Sequence, residues 1–393
     1  MTHAEIKKIQ NLSSVPLLPY SEPEASDQER IYRLRSTFEK QAQFPPGGDI
    51  VYTTPAFKAA MKSQNLLDLA IDCQNTRRET SPIAYRYLTQ LMAIHSINYV
   101  MIFEENEPDY PARLNLTSIP AWEELYKYVL DKHKNTIREC VINRDIQTTR
   151  PNRGVAIPFI MQRMQNLYGR KPVVGVDLGC STNVIWNHIA KNGTFFIEND
   201  ATFSAILGKN VIQQGMNHTL DIEHITGVDR SNPLYKPGLF NWLLANRHFD
   251  EVTSEKIEET RETLINYQNG LSNVTFQQSD IFDTNKIPHN VDVVTAFTMF
   301  SQMPDAVAKA GIEVAKSLLN ENGILILQDY IREADGITFP EDREFYTYNT
   351  FVTGPGLGDA YQDQYLHIAS FRDTKCTRIK TGSNLDEFIS LTQ

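Results

Sequence analysis

Cysteine is scarce in this sequence. Only Cys73, Cys140, Cys180 and Cys376 occur in 393 residues, with no CxxC pair and no cluster with histidine. That argues against a disulfide framework and a cysteine-based zinc site, and no bound metal is expected. Long apolar runs are missing as well: no stretch of about 18 apolar residues exists, so no membrane-spanning helix is predicted. The first residues, MTHAEIKKIQNLSS, lack the apolar stretch of a secretory signal, and a cytoplasmic chain with reduced thiols is the expectation. Positive charge is in deficit, with 38 Lys and Arg against 48 Asp and Glu and a formal net charge of -10. A surface of that sign does not attract nucleic acid in bulk, so no nucleic-acid partner is expected. Internal repeats and low-complexity tracts are absent too.

What is present is material for a packed interior: 41% hydrophobic residues, including 17 Tyr and 19 Phe. A chain of this length exceeds one ordinary core, which predicts two domains. Residues 1–26 read as a flexible tail of loop formers: Ser13, Ser14, Pro16, Pro19, Ser21, Pro23 and Ser26. From Asp27 the pattern turns helical, with Ile31, Leu34, Phe38 and Ala42 three to four residues apart until Pro45-Pro46-Gly47-Gly48. Further helices are predicted over 56–75, 82–98, 120–134 and 155–168. Residues 27–170 therefore read as a mainly α-helical N-terminal domain, a lid or substrate-binding unit.

At Lys171 the character changes. Short apolar runs follow one another: VVGVDLG (173–179), HITGVD (224–229), NVTFQQSD (273–280), VDVVTAF (291–297) and GILILQD (323–329). Strands apolar on both faces belong to a parallel sheet covered on both sides. Helical stretches separate them, one over Ser254–Asn269 closed by Gly270 and one from Pro304 to Asn320. Alternating strands and helices predict a doubly wound, Rossmann-like α/β domain over 171–393. TYNTFV (347–352) and KCTRIKT (375–381) read as a terminal antiparallel pair joined by a long connection.

In such a sheet, ligands bind beyond the carboxyl ends of the strands, where strand order reverses. The first strand runs into Asp177-Leu178-Gly179-Cys180-Ser181-Thr182-Asn183. Gly179 permits a tight bend, and Ser181 or Thr182 is placed to cap the next helix, whose N-terminus favours an anionic ligand group. The second strand ends in Asp229, followed by Arg230; a carboxylate there can accept both ribose hydroxyls. The third ends in Asp280, in register for an exocyclic amine, with Ile281 and Phe282 flanking a purine ring. The fourth ends at Phe297-Thr298 beside the same pocket. Arg150 and Arg153 precede the first strand by about twenty residues; either a ligand carboxylate or plain solvent is a suitable partner for them. Trp186 and Trp242 read as core anchors.

The segments VVGVDLGCSTN, ITGVD, FQQSD, VDVVTAF and LLNENGILILQDY resemble the class I methyltransferases that use S-adenosylmethionine. The resemblance implies a seven-stranded, mostly parallel sheet. It also implies a cofactor held by Asp177, Gly179, Cys180, Ser181, Asn183, Asp229, Arg230, Asp280, Ile281, Phe297, Thr298 and Arg153. The whole chain is similar to a poorly characterised bacterial methyltransferase-like family, through IQTTRPNRG (146–154), DLGCSTNVIWN (177–187), GVDRSNP (227–233) and WLLANRHFDEVTSEKIEETR (242–261).

The sequence departs from the superfamily pattern in two places. Ser181 and Asn183 stand where its second and third loop glycines would be, and Asp229 follows Asp177 by 52 residues, which implies an insertion within 193–217. That insertion suits a lid or an oligomer contact, so a homo-oligomer is one expectation. Methyl transfer from a sulfonium mainly needs the acceptor positioned, which agrees with the lack of any visible nucleophile or triad. No NPPY-like run follows VDVVTAF, which points away from amino methylation by that device and towards a small-molecule or peptide acceptor. A cofactor-binding scaffold without turnover and an NAD(P)-dependent oxidoreductase are the alternatives.

Overall fold

A computed structural model describes residues 26–43, 50–77, 94–144, 157, 161, 172–192, 220–270, 272–297, 299–300, 303, 305–329, 333–334, 337–338, 347–353, 364–372 and 375–378. The chain divides into two compact units. One is drawn from Arg150–Asn232 and Asn266–Gln393, the other from Pro16–Thr149 and Pro233–Ile265. Residues 233–265, expected with the sheet, are grouped with the N-terminal helices. The physical reason is burial: Trp242, Leu244, Phe249, Val252 and Ile257 share one hydrophobic cluster with Phe38, Phe57 and Trp122.

The helical unit contains α1 (Asp27–Gln43), α2 (Thr53–Lys62), α3 (Gln64–Arg77) and α4 (Ile119–Asn143). Among its described residues there is no strand. The single helix predicted over 56–75 is two helices, because Ser63 turns to an extended conformation between them. Its hydroxyl accepts the Leu66 N–H, as an N-cap serine does. Helix α4 starts behind Ser118, whose Oγ accepts the Ala121 N–H, with a proline in its first turn. Trp122, Leu125, Tyr126, Val129, Leu130, Ile137, Cys140 and Val141 are buried at helical spacing along it. The polar tips of the buried aromatics are satisfied: the Trp122 indole donates to the Leu116 carbonyl and the Tyr126 hydroxyl to the Ala56 carbonyl. The helices predicted over 82–98 and 155–168 lie mostly outside the described residues; Ser96–Tyr99 is helical. The unit also holds α5 (Pro237–Ala245).

The sheet unit contains β1 (Val173–Leu178), β2 (Ile222–Asp229), β3 (Val274–Gln278), β4 (Val291–Phe297), β5 (Leu319–Asp329), β6 (Thr347–Thr353), β7 (Gln364–Arg372) and β8 (Lys375–Arg378). In space their order is β8-β7-β6-β5-β4-β1-β2-β3. The five strands β5, β4, β1, β2 and β3 run parallel, and β6, β7 and β8 pair antiparallel at one side. The sheet thus has eight strands among the described residues, not the seven expected, and Gln364–Arg372 separates the two late strands predicted to pair. QYLHIASFR carries apolar residues on both alternating faces, so it shows no period-2 contrast to mark it as a strand.

The parallel strands are buried on both faces, as their unbroken apolar runs predict: Val176, Leu178, Val293, Val294, Ile324 and Leu325 have essentially no exposure. Flanking helices are α6 (Val184–Asn192), which follows β1, and α8 (Asp305–Ser317), which follows β4; α7 (Ser254–Gly270) begins in the helical unit, and the division falls within it, after Ile265. Strand order reverses between β1 and β4, so the crevice beyond their carboxyl ends is the switch point of the sheet. No helix among the described residues is long and apolar enough to cross a membrane.

Candidate functional site

Sheet register brings the nominated acids to neighbouring strand ends. Asp177 of β1 lies opposite Gly227 of β2 and Thr295 of β4, and Asp229 of β2 lies opposite Gln278 of β3. The Ser279 N–H donates to the Asp229 carbonyl at 3.0 Å, so Asp280 follows directly beside the end of β2.

The loop after β1 keeps the backbone that its missing glycines would provide. Gly179, Ser181 and Asn183 have φ of 68°, 52° and 57°, so all three occupy the left-handed region. Serine and asparagine enter that region at a cost of about 1 kcal/mol or more, and the surrounding contacts must hold them there. They do. The Gly179 N–H donates to the Val228 carbonyl at 2.8 Å and the Asn183 N–H to the Cys180 carbonyl at 2.7 Å. The Asn183 amide reaches across the sheet to the Thr275 carbonyl at 3.2 Å. Room for that reach comes from Gly227, where a Cβ would stand 2.3 Å from Asn183 Nδ2 and 2.7 Å from Cys180 Sγ. The third glycine of the family pattern is thus replaced by a compensating pair, Asn183 over Gly227. The hydroxyls of Ser181 and Thr182, expected to cap α6, make no hydrogen bond among the described residues although both oxygens are buried.

Each acid has a different electrostatic setting. Asp177 is 2% exposed, and burial pushes its carboxyl up to about 7, against the opposing hydrogen bond from Thr295 and with a smaller push from Asp229. Asp229 is also raised by burial, against the pull of the Ser181, Arg230 and Ser231 N–H groups; its Oδ2 accepts the Ser181 N–H at 2.9 Å. Asp280 faces a cation. Its Oδ2 accepts Arg230 Nε at 2.9 Å and lies 2.8 Å from Arg230 Nη2, while Oδ1 accepts the Phe282 N–H at 3.0 Å. Arg230 is therefore engaged with Asp280 rather than directed at an open pocket.

Other nominated residues fall as follows. Cys180 is a buried thiol, raised by burial next to Asp177 and Asp229. Ile281 and Phe282 are packed into the hydrophobic cluster with Phe300 and Ile312 rather than lying open as ring-stacking faces. Phe297 closes β4 and is 9% exposed. Arg153, Thr298 and the insertion expected within 193–217 lie outside the described residues. Two residues escaped the reading of the sequence, Thr295 and Met299, and Trp186, read as a core anchor and indeed fully buried, has a tie to the site that was not foreseen. Thr295 hydrogen-bonds Asp177, Trp186 hydrogen-bonds Thr295, and Met299 lies over Gly179, where a Cβ would meet its sulfur at 2.7 Å. Thr295 alone had a visible signal: it is a polar residue near the end of the otherwise apolar VDVVTAF.

The parallel sheet thus carries acids on adjacent strand ends and a left-handed loop at its switch point. The methyltransferase-domain family model matches residues 251–368. This bears out the resemblance read from the sequence. The matched methyltransferase segment takes in Asp280 and Phe297; the loop from Asp177 to Asn183 and Asp229 lie before it and stand on the geometry alone. No curated protein matches the chain. Among solved structures, the chain is similar to PKMT2 from Rickettsia typhi in complex with AdoHcy, at 17% identity over 45% of this chain and 25% of that one, with a TM-score of 0.26. It is also similar to a precorrin 8w decarboxylase from Methanobacterium thermoautotrophicum, at 15% identity over 45% of this chain and 63% of that one, with a TM-score of 0.24. The chain thus spans less than two thirds of the length of either structure.

Proposed function

We propose that this protein is an S-adenosylmethionine-dependent methyltransferase acting on a small-molecule or peptide acceptor. One observation carries the choice of cofactor: the carboxylate of Asp229 already occupies the N–H of Ser181 in the loop, beside the buried carboxyl of Asp177. An acid at the end of β2 also serves the ribose of NAD, but a pyrophosphate needs the loop N–H that Asp229 occupies and is repelled by the Asp177 carboxyl, so an NAD-type ligand is disfavoured here. A nucleoside carrying positive charge suits the same place.

The residues present fit S-adenosylmethionine. The buried hydroxyls of Ser181 and Thr182, without partners among the described residues, supply polar contacts, and burial without a ligand costs them hydrogen bonds. Asp229 would hold the ribose hydroxyls, Asp177 would balance positive charge, and Asp280 would take the base once Arg230 yields. When bound, the cofactor supplies a methyl group already activated for in-line displacement. The chain's own part is to bind, orient and keep water from the loop, and no acid or base of the chain is needed to activate a leaving group.

Calorimetry with S-adenosylmethionine, S-adenosylhomocysteine and NAD tests the reading. Binding of the first two and not the third is expected, and Asp229→Ala should weaken it by about 1–3 kcal/mol. Preference for NAD would overturn the proposal, and an unchanged affinity in the variant would remove Asp229 from the site. Transfer of labelled methyl to a metabolite or peptide pool separates an enzyme from a binding scaffold.

A further inference from the structure

Asp177 is served by a one-way chain of buried hydrogen bonds. Trp186 of α6 donates its indole N–H to the Thr295 hydroxyl oxygen at 2.9 Å. Thr295 of β4 donates its hydroxyl proton to Asp177 Oδ1 at 2.7 Å. Trp186 and Thr295 have no exposure, and Asp177 has almost none. A threonine hydroxyl has one proton, and an indole nitrogen only donates. With the indole proton aimed at its oxygen, the Thr295 hydroxyl is left to donate, and its acceptor is Asp177. The direction of the chain is therefore fixed by Trp186.

A donor aimed at a carboxyl favours its anionic form. Against it stand burial and the carboxylate of Asp229 on β2; the thiol of Cys180 in the loop is the other titratable group in electrostatic contact with Asp177. Asp177 is thus held where a modest change in its surroundings decides whether it carries a proton.

We propose that Thr295 and Trp186 are positioning residues that orient Asp177 and govern its charge, so that binding a positively charged ligand is coupled to loss of the Asp177 proton. The proton passes to the buffer as the ligand's positive charge takes its place, and total charge balances. The proposal rests on the nucleoside-binding reading above.

The test is calorimetry of the full chain with S-adenosylmethionine from pH 5.5 to 8.5, in buffers of different ionisation enthalpy, beside a carbon-13 titration of Asp177 without ligand. The wild type should release a fraction of a proton on binding, with affinity rising as pH rises. Thr295→Val should move the midpoint of that rise, and the Asp177 titration, up by about one pH unit, weakening binding near neutrality roughly fivefold. Thr295→Ser should restore both, and Trp186→Phe should shift both the same way by less. A Thr295→Val protein with the wild-type midpoint and proton release would overturn the proposal. If that variant does not fold, an Asp177 titration unchanged in Trp186→Phe overturns it instead. Absence of binding by the wild type at every pH would overturn the nucleoside reading and the coupling to ligand; the Asp177 titration would then decide whether Thr295 and Trp186 govern its charge.

Discussion

Two groups of acids, one in each unit, are treated by the fold in opposite ways. In the helical unit, Glu104 and Glu105 face His133, where α4 departs from helical geometry at φ -124° and ψ 20°. One ring nitrogen of His133 lies 3.0 Å from Glu104 Oε2 and the other contacts Glu105. Lys132 Nζ donates to Glu105 at 2.8 Å, and the Tyr128 hydroxyl donates to it at 2.7 Å. The Lys132 hydrogen bond, followed by that of Tyr128, pulls the Glu105 carboxyl down to about 2. In the sheet unit, by contrast, Asp177 receives one neutral hydroxyl and rises to about 7. Acids that the chain neutralises itself are structural; an acid buried with no cation beside it among the described residues is a candidate place for a ligand to supply one. Three substitutions test that distinction.

The largest effect is expected at Asp177. Its folded value stands above that of an unfolded aspartate, so its contribution to stability is present at acid pH and is lost as pH rises through about 7. Asp177→Asn removes the buried charge and should stabilise the sheet unit at pH 8 by on the order of 3 kcal/mol, with little gain at pH 4. Ligand affinity should fall in the same variant. Chemical unfolding at the two pH values measures this; equal stability changes at both would show that Asp177 is not strained in the way its burial implies.

The second substitution is Glu105→Gln, with the opposite sign. The Glu105 carboxyl is held low, so its contribution is present above the unfolded value and is lost as pH falls towards about 2. Loss of the network should destabilise the helical unit by about 0.5–1 kcal/mol at pH 7, because its lysine partner is exposed, and by nothing measurable near pH 2. Ligand affinity should not change. A loss of cofactor binding here would break the separation between a structural and a functional acid cluster.

Much of this contrast was readable in the residue order, and its key part was not. Asp177, Gly179, Asp229 and Asp280 follow apolar runs of strand length, so their arrival at adjacent strand ends follows from the period of a buried parallel sheet. The observed strands agree with those runs to within a few residues because burial on both faces leaves little freedom in register. Strand β7 escaped because an antiparallel strand at the side of the sheet lacks that signature, and Ser63 escaped because one extended residue does not disturb a hydrophobic spacing. The occupants of the acids were beyond reach for a different reason. That Ser181 donates to Asp229, or Arg230 to Asp280, depends on side-chain and loop geometry across segments about 50 residues apart, where no periodicity exists. Asn183 shows both sides: its tolerance of the left-handed region was predictable, and its anchor on Thr275 above Gly227 was not.

The smallest effect belongs to Arg230, and it tests whether Asp280 belongs with the satisfied acids or with the waiting ones. The pair is partly solvated, with side-chain exposures of 73% for Arg230 and 37% for Asp280. Such pairs contribute about 0–1 kcal/mol and weaken as salt rises. If Asp280 receives the base of the nucleoside, Arg230 competes with it. Arg230→Gln should then tighten S-adenosylhomocysteine binding by up to about fivefold at low ionic strength, with the gain fading in about 0.5 M salt. Stability should change by less than about 0.5 kcal/mol. Weaker binding in this variant would mean that the guanidinium orients Asp280 or touches the ligand, and would move Arg230 from competitor to contact. An affinity unchanged at every salt concentration would place Asp280 with Glu105, as an acid whose partner is already within the chain.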